Sequence, residues 1–159
     1  MKGTSEARIR AALRAGLADG AGLADGAGLA DGAGLADGAG LALKLPDDAR
    51  NWKPADYLIW RRWGDRTVSC WLEVKDTDAV ATWPLSDLRA SQRRGILEAR
   101  RLGIGYWLAV WWRRSATWTL LELTGLPAHW FADTSWPKSL MGHQGTERDL
   151  PAMLGACWR

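Results

Sequence analysis

Eight consecutive residues, Gly105-Tyr-Trp-Leu-Ala-Val-Trp-Trp112, carry no charge at all. A strand that is apolar on both faces belongs in the middle of a sheet. Upstream, Ser86 to about Leu102 predicts a helix with Leu88, Ile96, Leu97 and Ala99 inward. Its other side carries Arg89, Arg93, Arg94, Arg100 and Arg101, and Gly103 ends it. Thr117 to Leu123 follows across Arg113-Arg114-Ser115 as a further strand. At the start, residues 2–15 predict a helix capped by Thr4 or Ser5, with Ile9, Ala12 and Leu13 on one stripe and Glu6 in its first turn. Helix, extended segments, helix, then two strands is the order of an α/β fold. A chain of 159 residues with 47% hydrophobic content can build one such domain.

The segment from Asp56 to Lys75 carries the chemistry. Tyr57 to Arg62 and Arg66 to Lys75 are rich in aromatic and β-branched residues, with Gly64-Asp65 between them as the turn of a tight hairpin. Pairing outward from that turn sets Trp63 opposite Arg66, Arg62 opposite Thr67 and, further on, Asp56 opposite Glu73. Side chains alternate along a strand, so Glu73 and Lys75 share a face and Val74 points away. Two carboxylates directly opposite each other are destabilising without a cation. An all-oxygen pair suits Mg²⁺, with Mn²⁺ as a substitute, better than zinc. A bare Glu-x-Lys is commonplace on surface hairpins; the Asp in register is what makes it a candidate site.

Between the first helix and the hairpin, Gly-Leu-Ala-Asp-Gly-Ala occurs four times from Gly16 to Ala39 and is closed by Gly40-Leu41-Ala42. Nine glycines in that stretch argue against a helix. A period of six gives the leucines no single stripe. Residues 16–42 are therefore expected to be a low-complexity loop inserted at the surface. The net charge is +3, but the repeat holds four acidic residues and no basic one, so the rest of the chain stands at +7. That favours a polyanionic partner. Two cysteines, Cys70 and Cys157, have no metal-ligand spacing and suit a reducing cytoplasm. The twelve tryptophans are expected mostly in the core. Pro127 to Arg159 lacks periodicity and is expected as short helices over the sheet or against a second subunit, so residues 124–159 form a C-terminal extension.

Taken together, Gly3-Thr-Ser-Glu6, Lys53-Pro-Ala-Asp56, Glu73-Val-Lys75-Asp-Thr77, Trp83-Pro-Leu85 and Ser91-Gln92 resemble the PD-(D/E)xK nuclease superfamily. Within it they are similar to the archaeal-type and RecU-type Holliday-junction resolvases, and the size suits a phage-borne relative. The resemblance covers about residues 2–123 without the repeat; the proline of the motif stands one residue early, at Pro54, with Ala55 before the aspartate. It implies a restriction-endonuclease-like core, a central mixed β-sheet flanked by helices. It implies Asp56, Glu73, the Val74 carbonyl and Glu6 as metal ligands, Lys75 to orient the attacking water or stabilise the phosphate, and Gln92 to position Lys75 or the water. It also implies a homodimer that nicks four-way DNA junctions in paired fashion with Mg²⁺. Lys53, Arg62, Arg89, Arg93 and Arg94 are the candidates for DNA phosphates. Two other readings start from the same residues: a restriction- or repair-type endonuclease on duplex DNA, and a non-cleaving DNA-binding dimer.

Overall fold

Alternation along one strand explains the layering. In a computed structural model describing residues 5–16, 22–25, 40–45, 53–63 and 65–155, strand β6 (Gly105–Trp112) is buried on both faces. Trp107, Ala109 and Trp111 face one core, and Tyr106, Leu108, Val110 and Trp112 face the other. Helix α1 (Ser5–Gly16) lays Ile9, Ala12 and Leu13 into the first core, joined by α3 (Leu150–Gly155). Helix α2 (Ala90–Leu102) covers the second through Ile96 and Ala99. The protein is a mixed α/β domain with its sheet flanked by helices on both sides.

The described strands run in the order β1 (Gly22–Asp25), β2 (Gly40–Lys44), β3 (Tyr57–Trp63), β4 (Arg66–Thr77), β6, β7 (Thr117–Glu122) and β9 (His143–Gly145). The β1–β2 and β4–β6 pairs are parallel and the others antiparallel. The β3–β4 register is the expected one, from Trp63↔Arg66 to Tyr57↔Leu72. Asp56 stands one residue before β3, its N–H donating to the Leu72 carbonyl at 3.2 Å.

Four expectations need correction. The repeat is more than a loop: its second copy supplies β1, and its closing Gly40-Leu41-Ala42 opens β2. Short side chains and a parallel partner suffice for a sheet edge, which asks for less apolar area than a freestanding coil. Helix α2 begins later than Ser86, because Leu85–Asp87 forms a separate 3-10 turn and Arg89 is extended as the N-cap. Leu97 is exposed, since the inward stripe is Gln92, Gly95, Ile96 and Ala99, and Leu97 lies about 100° off it. The C-terminal extension brings strands as well as short helices. Thr4, Gly64, residues 26–39 and Cys157 lie outside the described residues.

That extension completes an internal symmetry. Thr82-Trp-Pro-Leu85 and Ser135-Trp-Pro-Lys138 form the paired strands β5 (Thr82–Pro84) and β8 (Ser135–Pro137), with Trp83 opposite Trp136 and ring centroids 5.9 Å apart. Each strand leads into a 3-10 turn, and the cross-bonds repeat: Leu85 N–H to Thr134 O, and Lys138 N–H to Ala81 O. The Arg100 guanidinium bonds the carbonyls of Leu123 and Leu126 and lies over Phe131, tying the extension to α2. So the C-terminal extension braces the helix that carries Gln92. Among the described residues, Trp71, Trp83, Trp107, Trp111, Trp112, Trp118 and Trp136 are buried in the core, while Trp60 and Trp130 are half-buried.

One turn residue is strained. Ala116, between β6 and β7, has φ +49°, where a Cβ costs about 1 kcal/mol. Ala116→Gly is expected to raise unfolding stability by about 0.5–1 kcal/mol, measured by chemical denaturation. An unchanged or lower midpoint would contradict the strain.

Candidate active site

A cleft opens where the N-terminus of α1, the Lys53–Asp56 segment, the middle of β4 and the N-terminus of α2 converge. Its lining includes Glu6, Lys53, Asp56, Glu73, Lys75 and Gln92. Glu73 and Lys75 reach it because β4 turns alternate residues to the α2 face, while Val74 packs against the α1 side. Strand β3 ends at Tyr57, so β4 beyond Leu72 has a free edge on that side. Asp56 fills the vacancy: its Oδ2 accepts from the Val74 N–H at 2.9 Å. The N–H and C=O of one strand residue leave on the same edge, so the Val74 carbonyl is directed to the Asp56 side as well.

Glu73 is the most constrained group. It is 1% exposed; its Oε1 accepts from Gln92 Nε2 at 2.5 Å and pairs with Lys75 Nζ at 2.8 Å. Its Oε2 is buried without a hydrogen-bond partner. Gln92 is oriented by the start of its own helix, where its Oε1 accepts the Arg89 N–H at 2.8 Å and so turns the amide nitrogen to Glu73. Burial, and then the neighbouring Asp56 carboxylate, push the Glu73 carboxyl up to about 7, with Lys75 and Lys53 pulling the other way. A carboxyl raised from its ordinary 4.5 favours the fold fully below about pH 4.5, and that contribution is lost as pH rises through 7. In EDTA, the stability of wild type relative to Glu73→Gln is expected to fall by up to about 3 kcal/mol between pH 4 and 8. A pH-independent difference in denaturation midpoints would contradict the burial of an ionisable acid here.

Every acid of the cleft faces a lysine. Asp56 Oδ1 pairs with Lys53 at 2.9 Å, Glu73 with Lys75, and Glu6 with Lys44 of β2. Asp56, Glu73, Val74, Lys75 and Gln92 are thus brought together. Glu6 stands at the edge of the same cleft with its carboxylate turned to Lys44. Among the described residues no group of three or more acidic, His or Cys side chains is gathered as a metal cluster. The donor set is two carboxylates and one carbonyl edge. That suits Mg²⁺, which is held by one or two carboxylates and keeps several waters. The orphaned Glu73 Oε2 is the observation that fits such an ion, since a buried carboxylate oxygen without a partner is costly.

The basic candidates divide. Lys53 and Arg89 line the cleft, and Arg94 is exposed on α2. Arg93 spends its guanidinium on the carbonyls of Leu85 at 2.9 Å and Leu88 at 3.3 Å, holding the turn before α2. Arg62 sits on β3 opposite Thr67, and its side chain is outside the described residues. Sequence reasoning missed Lys53 as the counter-ion of Asp56 and Lys44 as that of Glu6; the i, i+3 spacing of Lys53 and Asp56 was the available signal. Cys70 is buried, and burial pushes its thiol up to about 12, leaving it inert.

No family model and no curated protein matches the chain. Among solved structures, it is similar to Hjc of Archaeoglobus fulgidus, a Holliday junction resolvase from an archaeal hyperthermophile, at 15% identity over 75% of this chain and 88% of that one, with a TM-score of 0.47. At that score the function must be read from the geometry of the cleft.

Proposed function

We propose that the protein is a metal-dependent endodeoxyribonuclease that resolves four-way DNA junctions as a homodimer. The observation that carries the nuclease reading is Glu73, buried with a free carboxylate oxygen beside Asp56 and ringed by Lys75 and Gln92. Asp56, Glu73 and the Val74 carbonyl would hold Mg²⁺ or Mn²⁺, which supplies Lewis-acid charge to the scissile phosphate. Glu6 would join them, directly or through water, by releasing Lys44.

The remaining work falls to the chain's own residues. Gln92, fixed by the helix N-cap, holds the same Glu73 oxygen that Lys75 pairs with. The Lys75 ammonium is a compact charge on a flexible stem that can turn from Glu73 to the attacking water or to a phosphate oxygen. The water oxygen bonds to phosphorus and its proton passes to solvent or a carboxylate, while the bond to the leaving sugar oxygen breaks and that oxygen takes a proton from solvent. Lys53 and Arg89 at the cleft wall suit the flanking phosphates, so binding is strongly salt-dependent. The junction and the dimer rest on the sequence motifs; a two-fold substrate suits a two-fold protein.

Labelled four-way junction, linear duplex and single strand, each incubated with the protein and Mg²⁺, separate the readings. Paired nicks on the junction alone support the proposal. Cutting of plain duplex assigns a duplex endonuclease, and tight junction binding without cutting assigns a DNA-binding dimer.

A further inference from the structure

The approach of the chain to Asp56 is held by two residues outside the lining of the cleft. Tyr106, on β6 opposite Trp71 of β4, is fully buried, and its hydroxyl donates to the Pro54 carbonyl at 2.5 Å. Gly95, in the middle of α2, also stands against Pro54. A Cβ there would lie 2.8 Å from Pro54 O, 2.9 Å from its Cβ and 3.1 Å from its Cα. Glycine inside a helix costs about 1 kcal/mol against alanine, so the position is explained by the close approach. Between Pro54 and Asp56 lies only Ala55, itself 0% exposed. The peptide that leads into the ligand is therefore clamped from the sheet by a hydroxyl and from the helix by a missing side chain.

We infer that Tyr106 and Gly95 are positioning residues that set the Asp56 carboxylate for metal binding by fixing the Pro54 carbonyl. The inference rests on the reading of Asp56 as a metal ligand. The clamp acts in register with the rest of the site, because one helix carries both Gly95 and Gln92 and one strand pair carries Tyr106 and Glu73. Burial and the nearby Glu73 and Asp56 charges hold the Tyr106 hydroxyl protonated, so the donor persists at every working pH. Ligands need placement within about 0.5 Å, and only Ala55 separates the clamped Pro54 from the ligand.

The test is calorimetric titration of Mn²⁺ into the full-length wild type, Tyr106→Phe, Gly95→Ala and Asp56→Asn, with circular dichroism to verify folding. Both clamp variants are expected to bind Mn²⁺ about tenfold more weakly. Their cleavage rate at saturating Mn²⁺ should stay within about threefold of wild type, because the metal, once bound, restores the ligand geometry. Tyr106→Phe removes one oxygen only and decides the matter if Gly95→Ala does not fold. Lower stability of Tyr106→Phe with wild-type Mn²⁺ affinity would make it a core residue alone and overturn the inference. Wild-type protein that binds no Mn²⁺, or an Asp56→Asn variant that binds it as tightly, would overturn the metal-site reading and the clamp with it.

Discussion

Glu73→Gln is expected to abolish DNA cleavage, by about 10³-fold or more, the several kcal/mol that metal charge supplies to phosphate chemistry. The amide keeps the shape and can still meet Gln92 and Lys75, but it lacks the charge that a hard cation requires. Junction binding in the same variant should survive, because phosphate contacts by Lys and Arg do not pass through Glu73. Stability should move the other way. At pH 8 the wild-type carboxylate, buried with its normal value pushed up to about 7, pays for ionisation inside the protein. Removing that charge is expected to stabilise the metal-free fold by about 1–3 kcal/mol. Loss of activity with a gain in stability is the signature of a functional buried acid, and wild-type cleavage by this variant would remove Glu73 from the mechanism.

Lys75→Met is expected to lower the cleavage rate about 10²-fold at saturating metal, the usual cost of deleting one group that acts on the transition state. Methionine fills the same space without the ammonium. The metal requirement should not rise with it, because Lys75 pairs with Oε1 of Glu73, whereas the oxygen open to a cation is Oε2. Lys75→Arg should fail to restore the rate, since a planar, rigid guanidinium replaces a compact movable charge. Single-turnover rates across a Mg²⁺ series separate the two parameters. A variant that regains the wild-type rate at high Mg²⁺ would make Lys75 a binding group and not a participant in the chemistry.

Much of this site is legible in the chain because it is local. A two-residue turn and period-two alternation put Glu73 and Lys75 on one face, and the register they give holds from Trp63↔Arg66 to Tyr57↔Leu72. Asp56 stands one residue beyond the ladder and reaches the Val74 N–H through its side chain. Gln92 is marked by no local pattern and enters only through the family resemblance; the structure sets it at the start of α2 with its amide on Glu73. The supports are hidden for the opposite reason: they act across distances in sequence. Tyr106 sits within a continuous apolar run where nothing marks one residue above its neighbours. Gly95 looks like a flaw in a helix until Pro54 is seen against it. The repeat escapes local rules because a segment too weak to fold alone can still extend an existing sheet. The β5–β8 pair depends on Trp83 and Trp136 meeting across more than fifty residues, which no local pattern encodes.

The most direct measurement is the rate of four-way junction cleavage by the wild-type protein in EDTA and again after Mg²⁺ is restored. No cleavage in EDTA and paired nicks on restoring Mg²⁺ are predicted, with the rate rising with pH as Glu73 gives up its proton. Cleavage that persists in EDTA, or Mg²⁺-loaded protein that cuts neither junction nor duplex, would contradict a metal-dependent nuclease site at Asp56 and Glu73.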